Sequence, residues 1–551
     1  GEQTPLLVGT PRQGYGAAWV TLLVVEALEK GGFLGIAASL VPVLSSGSLA
    51  WGGTQVSCAH LILVGASHLL APIGGWVADV YLGHRGTVLL SLSLYLLATG
   101  LMPTMATLDG RLSLCGEMPA ATITQNCSGC QGKPPEIYCG ATIYTGLFLL
   151  ALSVGSIRAN LVAFGGDQVK DQHGVTTRRF FNWFYWSSNV GAIFSLLVVA
   201  LVQQQISVLA SSFIPVACVV LALLIFLLAT PTLVTKPPRG SQVSTIIKLT
   251  LQSCGCTRER SLQLDPEDLL PSSRAQPGAP SLKEDLENFQ GLSRILPVML
   301  AFIPHWMVFF QMQSAYHLQG LQLHSPGVFQ HGQDHTSALQ TYTLPSVWHL
   351  LATTMPVVAL VPLKDLIVDP FLARRRLVPS ALQQVALGMF FSLMSLLAAG
   401  VLEWQRLQDQ TVPEANGEGP HPAAPLPIWW QLPQYLLMGI SQLLANISAL
   451  EFTFAEAPDA MKGATMGVFF FFVCGVGWFL GWGLLTLCSL PTYGGLRCPQ
   501  GYGDLQHEDM RVTSSCCRLD SYFPLLGGIQ SAASVLFAWV SRSYRGSPAA
   551  P

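Results

Sequence analysis

Charged side chains are scarce in this sequence, and their scarcity excludes several classes of protein. Only 11% of the 551 residues are Asp, Glu, Lys or Arg, against about 25% in a soluble globular protein. The formal net charge is -2, so no basic excess points to a nucleic-acid partner. The motifs GxxxxGK with Ser or Thr, HExxH and GxSxG are also missing, which argues against an NTPase, a zinc protease or a serine hydrolase. We therefore expect neither an enzyme nor a bound metal or organic cofactor.

Long apolar runs are abundant instead. Half of the residues are hydrophobic and the mean hydropathy is +0.46, as expected for a polytopic membrane protein in contact with the lipid bilayer. Segments of about 20 apolar residues can cross about 30 Å of hydrocarbon. The predicted spans are 17-42, 55-80, 85-106, 140-167, 180-203, 207-229, 293-319, 343-363, 377-401, 428-455, 462-486 and 520-541.

A polar stretch divides these spans six and six. We predict two six-helix units, 17-229 and 293-541, joined by a linker at 230-292 and flanked by tails at 1-16 and 542-551. Basic residues concentrate in the loops that follow even-numbered spans, which predicts that both termini are cytosolic. The polar first fifteen residues give no sign of a cleavable signal peptide.

Eight of the cysteines fall in two loops on the predicted non-cytosolic side, where disulfides are stable. Their pairing is open; they are Cys115, Cys127, Cys130, Cys139, Cys488, Cys498, Cys516 and Cys517. The CxxC at Cys127 and Cys130 is read as a loop staple rather than a metal site. Asn126-Cys-Ser128 in the same loop is a candidate glycosylation site, whereas Asn446-Ile-Ser448 lies inside a predicted span and should be unusable.

The first span carries three charges, Glu26, Glu29 and Lys30. Its apolar residues favour insertion by about 5 kcal/mol, while three central charges cost about 8 to 10 kcal/mol. At 100° per residue the three charges, Phe33 and Ala37 share one helix face. We therefore expect this face to point inward, with Gly31 and Gly32 permitting close helix approach.

Arg158 is the other basic residue predicted well inside a span, and we expect it to be the counterpart of these charges. One interpretation is a static salt-bridge network. Buried ion pairs stabilise proteins poorly, so we favour a proton-coupling cluster in which protonation of Glu26 or Glu29 frees a base to attract a carboxylate.

Several motifs resemble those of the proton-coupled oligopeptide transporters, and their peptide/histidine branch in particular. Glu26-Ala-Leu-Glu29-Lys30 resembles the family's ExxER motif with Lys in place of Arg. The other motifs cover nearly the whole chain in the family's order; they are GGWVADVYLGHRGTV (74-88), AFGGDQV (163-169), FFNWFYWSSNVGA (180-192) and PQYLLMGISQLLANISALEFTFAEAP (433-458).

This resemblance implies an all-α membrane protein of the major facilitator superfamily, in which two six-helix bundles rock around a midplane site. It implies proton coupling at Glu26, Glu29, Lys30 and Arg158, with no cofactor besides protons. It also implies substrate contacts, which by position in this chain are Phe33, Arg158, Tyr185, Asn189, Trp306, Thr353 and Gln442.

Some positions depart from the family's pattern. Gln442 stands where the family has a Glu that receives the peptide amino group, so its side chain carries no countercharge. Thr353 replaces an Asn. His68 replaces a Tyr and could relay protons or serve only in packing. Asp79 and Arg85 flank the turn after the second span, where the resemblance implies control of bundle opening; a purely structural use is the alternative.

Glu2, Leu6 and Leu7 form an ExxxLL pattern typical of acidic dileucine signals that cytosolic sorting adaptors read. With the resemblance, it predicts a lysosomal and endosomal membrane protein.

The expected function is symport of protons with free histidine and di- or tripeptides, including bacterial muramyl peptides, from the endolysosomal lumen to the cytosol. The alternative is a transporter-fold scaffold that recruits innate-immune signalling adaptors and transports little.

Overall fold

The computed structural model describes residues 15–45, 49, 51, 53–116, 139–169, 174–238, 282–324, 344–410, 424–489 and 519–546. The predictions for the sorting signal (Glu2, Leu6, Leu7) and for glycosylation at Asn126 lie outside these residues. Those predictions stand untested, as do the limits of the tails, units and linker.

The described residues form an all-helical chain apart from one short strand pair. The first half contains α1 (Tyr15–Ser45), α2 (Gly53–Leu69), α3 (Ala71–Val77), α4 (Gly83–Ala106), α5 (Leu108–Cys115), α6 (Gly140–Val169), α7 (Gly174–Gln205) and α8 (Val208–Ala229). The second half contains α9 (Leu282–Leu321), α10 (Leu344–Leu363), α11 (Asp369–Arg374), α12 (Ala381–Gln410), α13 (Leu432–Ser441), α14 (Ile447–Glu456), α15 (Lys462–Phe469), α16 (Gly477–Ser489) and α17 (Tyr522–Gly546). Strands β1 (Leu323–His324) and β2 (Ala424–Pro427) pair in parallel.

The helices agree with the predicted spans. Within the described residues, ten helical ranges are long and apolar enough to cross a membrane. One of them, Cys58–Ala106, contains two predicted spans. Helix α1 has 31 residues but also three charges. All twelve predicted spans are therefore helical. An even number of membrane crossings places the start of α1 and the end of α17 on the same side of the membrane. We call this side the terminal end.

Each half packs mainly on itself. In the first half α1 packs on α7 and α8, and α4 on α6; in the second, α12 packs on α13 and α17. The halves meet where α15 lies on α3 and α6, and where α10 lies on α7. Glycines permit the closest approaches: a Cβ on Gly31 would lie 3.1 Å from the Gly191 carbonyl oxygen, which confirms the expected role of the Gly31-Gly32 pair.

Four π-helical segments interrupt the described helices, and each contains a residue that contacts the other half. They are Ala78–Leu82, Lys364–Val368, Gln442–Asn446 and Phe470–Val476. A π-helical turn widens the backbone and rotates the following side chains, and such turns are frequent at functional sites. Their placement indicates that the seam between the halves is the functional part of the fold.

On the side opposite the terminal end, a disulfide joins Cys115 to Cys139. This confirms a disulfide in that loop and identifies one pair that the sequence left open. Cys488 is a free cysteine; Cys127, Cys130, Cys498, Cys516 and Cys517 lie outside the described residues.

Candidate functional site

The charged face of α1 points into the protein. Glu29 is 0% exposed and Glu26 is 6% exposed, while Lys30 is half-buried. The prediction that these charges avoid lipid is therefore confirmed for both carboxylates. Glu26 forms a hydrogen bond with Ser188 of α7.

Glu29 has no such bond. Within the described part of the chain, neither of its carboxylate oxygens has a hydrogen-bond partner. The charges of Arg158 and Lys30 act on it electrostatically. In the same residues, no ion pair within 4.0 Å joins Arg158 to Glu26 or Glu29, so proximity without direct pairing is the arrangement in this conformation.

Arg158 is held by helix α2 instead. Its Nη1 donates to Ser67 Oγ at 3.0 Å and to His68 Nε2 at 3.0 Å, and its guanidinium carbon lies 4.5 Å from the centre of the Phe33 ring. Since a guanidinium only donates, His68 Nε2 accepts, and His68 Nδ1 is then the nitrogen that donates to the Val64 carbonyl at 2.9 Å. The predicted residues Phe33, His68 and Arg158 thus form one contact group.

A second contact group joins the two halves. The Tyr185 hydroxyl of α7 donates to Gln442 Oε1 at 3.1 Å and accepts from Asn446 Nδ2 at 3.2 Å. Gln442 and Asn446 begin and end one π-helical segment, which brings both amides to the same hydroxyl. Asn189 Nδ2 donates to the Tyr185 backbone carbonyl one turn earlier in α7, at 2.8 Å.

Cys474 lies near both groups. It is 3% exposed and lies in the π-helical segment Phe470–Val476. It lies near Arg158 and Lys30 and also near Tyr185. The ring centres of Phe470 and His68 are 6.4 Å apart. The charged cluster of the first half therefore faces the same seam as Gln442 and Asn446 of the second half, which we call the amide wall.

The remaining two predicted substrate residues take part less directly. The Trp306 ring packs against Phe309 and Phe310, with centres 5.4 Å away in each case, and its indole nitrogen has no hydrogen-bond partner among the described residues. The Thr353 hydroxyl donates to the His349 carbonyl of its own helix at 2.9 Å. The hydrogen bonds of Arg158 and Tyr185 go to other residues, Ser67, His68, Gln442 and Asn446.

Asp79 closes the seam at the terminal end. Its carboxylate accepts hydrogen bonds from the backbone nitrogens of Gly463 at 3.3 Å and Ala464 at 2.7 Å, in the first turn of α15. A carboxylate at a helix N-terminus is favoured because it satisfies free N–H groups and complements the helix dipole. This placement supports the predicted gating role of Asp79.

Arg85 does not share this position. It is exposed, and within the residues described no ion pair joins it to Asp79. The neighbouring His84 lies there instead, with Nε2 3.5 Å from Asp79 Oδ1 and Nδ1 3.0 Å from Asn160 Oδ1. The helix turn directs residue 84 and not residue 85 toward the seam, so the role of Arg85 in bundle opening stays a prediction without a contact to Asp79 behind it.

Ion pairs reinforce the closure. Arg178 Nε lies 3.1 Å from Glu451 Oε1, and Arg179 Nε lies 3.0 Å from Asp365 Oδ2. Trp183 also donates to Asp365, at 2.9 Å. On the other side of the seam, Lys462 Nζ lies 3.6 Å from Asp167 Oδ1. All of these pairs cross between the halves, so this conformation is closed at the terminal end.

Sequence reasoning missed several of these residues. Asn446 was considered only as an unusable glycosylation site, although its spacing of four from Gln442 puts both on one helix face. Ser67 and His84 are the sequence neighbours of His68 and Arg85. Their position next to predicted site residues was the one indication of a role that the sequence offered. Nothing in the local sequence pointed to Cys474.

Two helical halves that meet at a buried charged cluster, with ion pairs closing one end, have the architecture of a secondary transporter. The sequence profile described as POT family matches residues 118–496. The chain is 48% identical to solute carrier family 15 member 3 of Mus musculus and to that of Rattus norvegicus, over 99% of this chain and 95% of each relative. The chain therefore belongs to the POT family, whose members are transporters and not enzymes.

Solved structures agree with this fold. The POT family transporter PepTSo superposes with a TM-score of 0.61 at 19% identity, covering 97% of this chain and 99% of that one. A POT family transporter in complex with a thioalcohol conjugated peptide gives a TM-score of 0.58 at 14% identity, over 96% of each chain.

Proposed function

We propose that the protein is a proton-coupled symporter that moves free histidine and di- or tripeptides, bacterial muramyl peptides among them, from the endolysosomal lumen to the cytosol. The proposed location is the lysosomal and endosomal membrane, with the terminal end in the cytosol. Peptide transport is the activity of the POT family; the substrates, the proton coupling and the location are proposed here.

The observation that carries the coupling is the isolated burial of Glu29. A fully buried carboxylate without hydrogen bonds is costly when ionised, so this closed conformation favours a protonated Glu29. Because a protonated Glu29 is neutral, it forms no ion pair with Arg158, and the positive charge of Arg158 stays available to the substrate. Proton binding from an acidic lumen and exposure of a carboxylate-binding base thus become one event.

Arg158 is suited to receive the substrate carboxylate. Only its Nη1 makes hydrogen bonds among the described residues, which leaves the N–H groups of Nη2 and Nε available. A guanidinium can bind a carboxylate through two parallel hydrogen bonds. The contacts with Ser67, His68 and Phe33 hold the group in place, so little side-chain freedom is lost on binding.

Release follows from opening of the terminal end. When α15 moves away from Asp79 and Lys462 from Asp167, water reaches the seam from the cytosol. Glu29 then loses its proton, and its new negative charge competes with the substrate carboxylate for Arg158. Proton and substrate therefore leave on the same side, which is the requirement for symport.

The test is uptake of labelled histidine and dialanine into proteoliposomes with an acidic exterior, so that protons flow inward, with wild type and Glu29→Gln compared. We expect gradient-driven uptake to be lost in Glu29→Gln while counterflow exchange continues, because Gln imitates the protonated acid. Asp109→Asn, an exposed acid on α5, is the matched control and should behave as wild type.

Accumulation by Glu29→Gln at the wild-type rate would contradict the coupling role. If uptake by wild type did not exceed that of liposomes without protein, the transport proposal as a whole would be contradicted. That result would favour the scaffold that binds signalling adaptors.

A further inference from the structure

The amide wall around Tyr185 has a hydrogen-bonding pattern of its own. Tyr185 OH donates to Gln442 Oε1 and accepts from Asn446 Nδ2. Gln442 is 5% exposed and Asn446 is 2% exposed. The hydroxyl group of Tyr185, in the first half, therefore forms a hydrogen bond with one polar atom of each of the two side-chain amides in the second half.

The other polar atom of each amide remains. Asn446 Oδ1 is buried and has no hydrogen-bond partner among the residues described. In that part of the chain Gln442 forms a hydrogen bond through Oε1 and none through Nε2. One acceptor and two N–H donors are thus left at the seam. Exchanging the oxygen and nitrogen of both amides would swap which residue donates, but would still leave one acceptor and one NH₂ group.

An adjacent donor and acceptor match a secondary amide, whose N–H donates and whose C=O accepts. They match an ammonium group poorly, because the NH₂ group opposes its charge and only one neutral acceptor faces it. A buried polar atom without a partner is costly, so a ligand that satisfies both groups is selected over one that satisfies a single group.

Two described carboxylates elsewhere in the second half are already engaged. Glu451, five residues beyond Asn446, pairs with Arg178, and Glu403 pairs with Arg406. In the described wall, therefore, Gln442 and Asn446 meet the substrate without a negative charge beside them.

We propose that Gln442 and Asn446 form a specificity site for an uncharged secondary amide, so that the transporter accepts N-acylated dipeptides on equal terms with free ones. This inference rests on the proposed peptide transport and on Arg158 as the carboxylate anchor. Recognition then uses the carboxylate and the amide of the ligand, and the charge of its amino end contributes little.

The experiment measures binding of dialanine and N-acetyl-dialanine to the purified full-length protein, together with counterflow of each in proteoliposomes. We expect the dissociation constants of wild type for the two ligands to agree within about threefold. Gln442→Glu should change their ratio in favour of dialanine by about tenfold or more, because N-acetyl-dialanine loses one polar contact and dialanine gains one. Gln442→Met removes the amide without adding charge and should weaken N-acetyl-dialanine by about tenfold.

The control is Gln203→Glu, which adds an acid at a buried amide of α7 that bonds Ser39 far along the helix from Tyr185. It should keep the wild-type ratio, and size-exclusion profiles show which variants are folded. Strong preference of wild type for dialanine, or an unchanged ratio in both Gln442 variants, would overturn the inference. Because binding needs no proton gradient, failed gradient-driven uptake with these ratios intact would contradict only the proposed coupling.

Discussion

Asp79 accepts a 2.7 Å hydrogen bond from the backbone nitrogen of Ala464, residues that lie 385 positions apart in the chain. Through this bond a single carboxylate of the first half caps the first turn of α15 in the second half. Opening at the terminal end must break it, so its strength contributes to the equilibrium between closed and open conformations.

Asp79→Asn should favour the open conformation. The substitution removes the charge that complements the α15 dipole, an interaction of about 1 kcal/mol, so the closed population should fall about fivefold relative to the open one. Hydrogen–deuterium exchange of residues 458-469 should rise. The exposed Asp109→Asn serves as the control, and unchanged exchange in Asp79→Asn would remove this contact from the gate.

His84 and Arg85 should differ sharply despite being neighbours. His84→Ala removes the group between Asp79 and Asn160 and should raise exchange in the same segment and change the transport rate. Arg85→Ala removes an exposed side chain and should alter neither. The reverse result would restore the role that the sequence motif suggested for Arg85.

Glu403 and Arg406 should show the energetics of a buried ion pair. They are 0% and 1% exposed, with Arg406 Nη2 2.6 Å from Glu403 Oε1. Arg406→Leu should lower the free energy of unfolding by about 3 to 5 kcal/mol because it leaves a buried charge unpaired. The double variant Glu403→Leu/Arg406→Leu should lose less than Arg406→Leu alone.

Thermal unfolding in detergent, followed by tryptophan fluorescence, measures this difference. Arg374→Ala, which changes an exposed basic residue, controls for loss of charge. A double variant less stable than Arg406→Leu would show that the pair stabilises the fold beyond mutual neutralisation.

The N-terminal tail should direct the protein to lysosomes. Leu6→Ala with Leu7→Ala removes the apolar part of the ExxxLL pattern and should shift the protein to the cell surface, measured by surface biotinylation in cultured cells. Gln3→Ala, which changes one of the unspecified positions of the ExxxLL pattern, should keep the lysosomal location. Lysosomal residence of the double Leu variant would show that another segment carries the address.

Much of this protein was determined by the sequence alone, because membrane insertion is a local property. A run of about 20 apolar residues must bond its backbone internally in lipid, so each predicted span became a helix. The cost of lipid exposure likewise required Glu26 and Glu29 to face inward. The family motifs predicted that Arg158, Tyr185 and Gln442 belong to one site.

Only the tertiary structure decided how those residues pair. Arg158 bonds Ser67 and His68 instead of an acid, Asn446 joins Gln442 at Tyr185, and His84 takes the place beside Asp79. These contacts depend on the rotation that π-helical segments impose and on the distance of approach between the two halves. Both are set by packing between residues far apart in the chain, and no local pattern encodes them.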